Sequence, residues 1–311
     1  MRALVTGGAG FIGSHIIARL LGEGHEVVCL DNFDPYYDPA VKRENIAPFA
    51  SDMNFTPVEG DIRDSRLLAQ VLEDVDYVFH EAAQAGVRIS VDDPIKPHEV
   101  NATGTLTLLL AARDAGVRKV IYASSSSVYG TVKYLPFDEY HPTLPVSPYG
   151  VSKLMAEHYC RAFDDLYDLP TCSLRYFTVY GPRMRPDLAI SIFTRHALKN
   201  EPITIFGDGE KTRDFTYIDD IVDANIIAMT KGKGVYNIGG GHRVSIQTLA
   251  EKIIEITGSA SETRYAEAVK GDAEHTFAGT EKAKRELGWA PQTTLEEGLK
   301  RYTAWVSTSQ S

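Results

Sequence analysis

Through the first half of the chain, short runs of β-branched and apolar residues alternate with longer stretches of helical periodicity. Residues 3–6, 26–30, 55–58, 77–80, 119–123 and 171–175 read as strands, and 12–21, 65–72, 101–115 and 149–166 as helices between them. Strand, helix, strand is the signature of βαβ units, whose right-handed crossovers complete a doubly wound parallel sheet, an α/β Rossmann architecture. Within 101–115, Leu106, Leu109, Leu110 and Arg113 keep helical spacing and Gly116 stands where a helix ends. After Arg175 the texture changes. A turn at Tyr180-Gly181-Pro182-Arg183 is followed by shorter segments and by Gly-rich breaks at 207–209 and 239–241. A helix capped by Ser245 runs through Leu249, Ile253 and Ile256, and another closes the chain over 295–306. The expectation is a first domain over 1–175, to which 216–240 returns, and a smaller α/β substrate domain made mainly of 176–311.

The chain has 311 residues, 43% hydrophobic and 24% charged, enough to bury a full core. Its 32 Lys and Arg against 42 Asp and Glu give a net charge of -10, which argues against nucleic acid as a partner, since phosphate-backbone binding needs a basic face. A few placed arginines can still hold a small anion. Cys29, Cys160 and Cys172 lack the close spacing of a metal or redox motif and read as reduced, buried thiols of a cytoplasmic protein. No His or carboxylate cluster has metal-ligand spacing, so no metal is expected. The N-terminus runs into a glycine cluster without a signal-peptide core, and no stretch approaches the ~20 apolar residues of a membrane span.

The first candidate chemistry is that glycine cluster. Gly7-Gly8-Ala9-Gly10-Phe11-Ile12-Gly13 lies between the first predicted strand and the first helix, and Asp31 ends the next strand. Glycines let the backbone turn tightly and approach a pyrophosphate, whose charge faces the free N–H groups of the helix start. Asp31 can accept hydrogen bonds from both ribose hydroxyls of NAD, and its charge would repel the 2′-phosphate of NADP, so NAD is expected. Further on, Tyr149 and Lys153 share one face of a predicted helix. Ser124-Ser125-Ser126-Ser127-Val128-Tyr129-Gly130 sits at the carboxyl end of a strand, the edge where open α/β sheets bind ligands.

On these motifs the chain resembles the extended short-chain dehydrogenase/reductases that act on nucleotide-sugars. The likeness runs in order through Asp31-Asn32, Gly60-Asp61-Ile62, His80-Glu81-Ala82-Ala83, Asn101, Ser147-Pro148-Tyr149-Gly150-Val151-Ser152-Lys153, Arg175-Tyr176-Phe177, Tyr180-Gly181-Pro182-Arg183 and Arg213-Asp214-Phe215. It implies that Lys153 hydrogen-bonds the nicotinamide ribose and lowers the pKa of Tyr149. Tyr149 then takes a proton from a sugar hydroxyl that Ser125 also holds. Asp61 and Ile62 fall at the adenine end, with Ala82, Ala83, Gln84, Asn101 and Tyr176 along the cofactor. His80-Glu81 reads as a strand end beside it. A homodimer through helices 101–115 and 149–166 is the implied assembly.

The resemblance also narrows the reaction. Dehydratases of the group carry an Asp-Glu pair where this chain has Ser126-Ser127, and related decarboxylases a Glu, so a redox-neutral 4-epimerase is the reading. Thr178 with Arg185-Pro186-Asp187-Leu188-Ala189, and Gln84-Ala85-Gly86-Val87-Arg88, look like UDP-glucuronate 4-epimerases. A C4 ketone beside a C5 carboxylate is a β-keto acid that loses carbon dioxide if the bond aligns with the carbonyl. Ser126, Ser127, Thr178 and Arg185 could hold it out of alignment, although Arg185 could equally be a surface charge or a diphosphate contact. Arg213 is expected on a phosphate, Ile205 and Phe206 near uracil, Ala189 beside the sugar and Asp272 on the uridine ribose, while Lys270 departs from the group's usual Arg or Gln. The alternatives are a UDP-glucose or UDP-N-acetylglucosamine 4-epimerase, or a non-catalytic NAD-binding regulator.

Overall fold

A computed structural model describes residues 1–267 and 274–309. In chain order its strands are β1 (Arg2–Thr6), β2 (Glu26–Asp31), β3 (Phe55–Glu59), β4 (Tyr77–His80), β5 (Lys119–Ser125), β6 (Thr171–Tyr176), β7 (Thr178–Tyr180), β8 (Ile203–Phe206), β9 (Thr212–Arg213), β10 (Phe215–Tyr217), β11 (Gly234–Ile238), β12 (Val244–Ser245) and β13 (Thr263–Ala266). Helices are α1 (Phe11–Gly22), α2 (Pro39–Ile46), α3 (Ser65–Val71), α4 (Val87–Asp92), α5 (Ile95–Pro97), α6 (Thr105–Asp114), α7 (Pro148–Leu166), α8 (Ala189–Leu198), α9 (Ile218–Lys231), α10 (Ile246–Thr257) and α11 (Leu295–Ser309). Seven strands form one parallel sheet in the order β11-β6-β5-β4-β1-β2-β3. The order reverses between β1 and β4, which opens a crevice at the carboxyl edge of the sheet.

Both sheet faces are covered, so the central strands are apolar on both sides. Leu4, Val78 and Val120 face α3, α6 and α7, where Leu68, Leu108, Leu109, Cys160 and Phe163 complete one core. Ala3, Val5, Phe79 and Ile121 face α1 and α9 through Ile16, Ile17, Leu20, Ile221 and Ala224. Each fully buried Leu or Ile adds about 1.5–3 kcal/mol. That second cluster continues through Phe193, Leu249, Ile253, Leu299 and Tyr302 of α8, α10 and α11. Trp289 pins the two parts together by donating its indole N–H to the Asp220 carbonyl at 2.9 Å.

The helix expected over 101–115 starts differently. Residues His98–Gly104 form a π-helical turn, and α6 follows until Gly116, at φ +71°, closes it. Its cause is local. Asn101 spends its side chain on the backbone of Gln84 and on Ser152, and Gly104 lies where a Cβ would sit 2.7 Å from Ile62 Cδ1.

Candidate active site

The crevice is a cleft of about 1050 Å³ running from the β1–α1 turn to α8 and β8. At one end, Gly7 N donates to Leu30 O at 2.7 Å and Gly10 N to Gly7 O at 3.0 Å, folding the chain back on itself. Gly7 has φ +66° and lies so close to β4's end that a Cβ would stand 2.7 Å from Ala82 N. No side chain caps α1, so the amides of its first turn are left for a ligand. Gly7, Gly10, Phe11, Ile12, Gly13, Asn32, Asp61, Ile62, Ala82, Ala83 and Gln84 all line this end. Asn32 donates to Asp61, whose carboxyl is held below its ordinary pKa chiefly by hydrogen bonds from Arg63.

Asp31 is buried, as a ribose acceptor should be, but it is not a bare charge. Its oxygens accept N–H groups from Ala9 at 3.2 Å and Phe33 at 2.8 Å, and Lys42 Nζ at 3.1 Å. Lys42 is itself buried. Lys42 therefore offsets part of the negative charge that the sequence reading set against a 2′-phosphate.

The middle of the cleft is built by α7 and the ends of β4, β5 and β6. Ser147 caps α7 by accepting Gly150 N at 3.1 Å, and Pro148 fills the first helical position. This sets Tyr149 one turn ahead of Lys153, and both enter the cleft. Lys153 donates to Ala123 O at 2.7 Å and lies 4.9 Å above the Tyr122 ring. Ser125 hydrogen-bonds the Tyr149 hydroxyl and accepts Ser127 N–H at 3.1 Å. Burial raises the pKa of Tyr149, while the Ser125 hydrogen bond and the charge of Arg185 pull it back down. Ser125 and Arg185 thus both favour the phenolate. Burial lowers Lys153 to about 8, and Glu81 opposes that fall.

The far end holds Thr178, Arg185, Ala189, Phe206 and Arg213 in its lining. Arg185 makes a bidentate pair with Asp187 at 3.0 and 3.2 Å, and Tyr36 donates to the same carboxylate at 2.9 Å. Several expected contacts fall elsewhere. Ile205 is buried because β8 alternates, sending Ile203 and Ile205 into the core and Thr204 and Phe206 outward; Thr204 takes its place in the cleft. Ser126 and Ser127 occupy a 3₁₀ turn beyond β5 and are outside the lining, where Ser124 and Ser125 stand instead. Asn101 is behind Gln84 and positions it rather than lining the cleft. Asp272 and Lys270 lie outside the described residues.

The sequence reading gave no role in the site to Lys42, Glu81, Tyr36 or Asp187. Glu81 carried a signal in its place directly after a strand at the carboxyl edge of the sheet, and Asp187 in the motif that follows Arg185. Arg88 was noted only within a motif; it lies 5.5 Å from the Phe206 ring centre across the cleft. Among the described residues no group of three His, Cys, Asp or Glu could hold a metal, and no helix is long and apolar enough to cross a membrane.

A glycine turn at a sheet switch point, a capped Tyr and Lys on α7, and a Ser at the end of β5 together define an enzyme of the short-chain dehydrogenase/reductase type. The profile of the NAD dependent epimerase/dehydratase family matches residues 3–239. The chain belongs to that family, and NAD is its cofactor. The uncapped α1 and the Asp31 acceptor fit such a cofactor. The UDP-glucuronate 4-epimerase of Thermodesulfobacterium geofontis is 39% identical over 97% of this chain and 95% of its own. The crystal structure of UDP-glucose 4-epimerase from Thermotoga maritima with UDP-glucose matches with a TM-score of 0.94 at 39% identity, covering 100% of both chains. That of UDP-glucuronic acid 4-epimerase from Bacillus cereus, in complex with UDP-glucuronic acid and NAD, has a TM-score of 0.94 at 37% identity and covers 99% of this chain and 100% of its own.

Proposed function

We propose that this enzyme, an NAD-dependent UDP-sugar 4-epimerase, inverts C4 of UDP-glucuronate to give UDP-galacturonate. The observation that carries the uronate reading is Arg185, a cation that lines the same cleft as Tyr149 and Thr178. A cation there stabilises the phenolate and can pair with a carboxylate on the neighbouring sugar carbon. NAD, when bound, supplies a hydride acceptor and returns the hydride. Tyr149 takes the C4 hydroxyl proton and later gives it back, and Ser125 steadies the same oxygen. The sugar ketone turns over between the two transfers. Thr178 and Arg185 hold the carboxylate away from the alignment that would release carbon dioxide.

A second reading, UDP-glucose as substrate, is favoured by the Asp187 carboxylate that already occupies Arg185. Incubation with each sugar nucleotide, followed by proton NMR of the C4 position, tests the choice. Turnover of UDP-glucose with none of UDP-glucuronate would overturn the uronate assignment.

The same reading takes residues 1–175 with 216–240 as the NAD-binding part and most of 176–311 as the sugar-nucleotide part. β11 beside β6, and α9 packed on α1, support the return of the later segment. Exposed Leu110 on α6 and Val151, Met155 and Leu166 on α7 support a homodimer across these helices, which light scattering would test. Free, buried Cys29, Cys160 and Cys172 support a reducing compartment such as the cytoplasm.

A further inference from the structure

One carboxylate in the middle of the cleft has no part in the chemistry above. Glu81 directly follows β4, and its backbone N–H continues the ladder onto Thr6 O at 3.1 Å. His80 pairs with Tyr122 across β4 and β5, so Glu81 falls beside Ala123, whose carbonyl holds Lys153 Nζ. From the other side of β5, Tyr176 at the end of β6 reaches across and donates its hydroxyl to Glu81 Oε1 at 3.0 Å. Asn225 of α9 donates to that tyrosine oxygen at 2.7 Å and also to Ile221 O at 2.9 Å, which leaves the phenol proton directed at the carboxylate. Glu81, Lys153 and Tyr176 all face the cleft. Three strand ends and a helix thus aim one carboxylate at the neighbourhood of the Lys153 ammonium.

The titratable groups facing this pair come from every surrounding element. His80 on β4 is kept neutral by burial, which lowers it to about 3. Tyr122 on β5, Tyr176 on β6 and Cys160 on α7 are pushed upward by burial and so are uncharged at neutral pH, and burial pushes Tyr149 on α7 upward as well, against the pull of Ser125 and Arg185. Glu81 is then the carboxylate whose charge opposes the fall of Lys153; Glu157, one turn further along α7, is committed to its ion pair with Arg175. Burial raises Glu81 itself to about 7, and the Tyr176 hydrogen bond and the Lys153 charge work against that rise.

We infer that Glu81, fixed by the Tyr176–Asn225 pair, is the positioning residue that keeps Lys153 charged within its buried site. Lys153 would otherwise lose its proton to desolvation. A charged Lys153 makes the stronger hydrogen bond to the cofactor ribose and contributes positive potential to the reacting end of the cleft. Glu81 touches neither the sugar nor the proton in flight; it acts through the lysine. The inference rests on the assignment of Lys153 to the cofactor made above.

Trace acylation of the holoenzyme, with the Lys153 peptide quantified by mass spectrometry across a pH series, titrates this amine without reference to turnover. Glu81→Gln should lower the Lys153 midpoint by about one pH unit, the effect of losing one nearby opposite charge. Glu81→Asp, which keeps the charge, should restore most of that loss. Tyr176→Phe should move the midpoint the same way by less, because Glu81 then holds its proton more readily. The alkaline limb of kcat should move with the midpoint, whereas a merely structural defect would lower kcat without shifting the limb. A Lys153 midpoint unchanged in Glu81→Gln overturns the proposal; should that variant not fold, an unchanged midpoint in Tyr176→Phe does so. Full activity in Lys153→Met would instead defeat the role given to Lys153, a separate result.

Discussion

Replacing Gly13 by Ala adds a single methyl group at the point where the dinucleotide turn is most crowded. A Cβ there would press on the Gly7 carbonyl oxygen and stand 2.8 Å from Gly8 Cα and 3.0 Å from the Gly7 carbonyl carbon. All three neighbours are backbone, and Gly7 has little room to retreat, since even a Cβ on it would stand 2.7 Å from Ala82 N. The turn must open, separating the α1 amides from the crevice edge they face. Overpacking of this kind costs about 1–3 kcal/mol. A cofactor-free turn can relax by opening and must close again on NAD, so the strain falls on binding, and at 1.4 kcal/mol per decade NAD affinity should drop roughly 5- to 150-fold. Calorimetric titration of cofactor-free wild type and Gly13→Ala with NAD reads the effect directly. Equal affinities in the two proteins would refute the view that this turn is closed around the dinucleotide.

Three other outcomes follow from the site. Tyr149→Phe should abolish epimerisation while leaving NAD bound, as shown by cofactor absorbance of the purified variant; substantial activity would remove Tyr149 as the proton carrier. Arg185→Ala should reduce kcat/KM for UDP-glucuronate at least tenfold more than for UDP-glucose, on the order of one charge-assisted hydrogen bond, and equal losses would assign Arg185 to the shared diphosphate. His80 is buried between Thr6 and Thr105 hydroxyls and its pKa is lowered by burial from 6.5 to about 3. The unfolded chain binds its proton first, so the stability due to neutral His80 is present above pH 6.5 and is lost as pH falls toward 3. The loss is at most about 1.4 kcal/mol per pH unit. Urea midpoints should therefore fall less steeply on acidification in His80→Asn than in wild type, and parallel slopes would contradict the buried neutral imidazole.

The fold was legible because its signals are local. Buried strands such as Leu4-Val5 and Val120-Ile121 are apolar on both faces, and the β1–α1 turn needs glycines that few other residues could replace. The same holds for Ser147 and Pro148, which start α7 and so fix where Tyr149 and Lys153 stand. What escaped depends on register and on tertiary neighbours. Ile205 and Phe206 are adjacent in sequence, yet only the phase of β8 decides which of them meets the cleft. Asn101 carries the polarity of a ligand contact but spends it on Gln84 and Ser152. Lys42 and Asp31 lie on separate elements, as do Glu81 and Tyr176, and no pattern along the chain announces that they meet.

The central claim is that C4 of a UDP-uronate is inverted by a hydrogen that leaves and returns within one active site. The most direct measurement is proton NMR and mass spectrometry of the reaction with UDP-glucuronate deuterated at C4. UDP-galacturonate that keeps its deuterium at C4, with no loss of carbon dioxide, is the predicted result. Unchanged UDP-glucuronate alongside active conversion of UDP-glucose, or a product that has exchanged its C4 deuterium with solvent, would contradict the account.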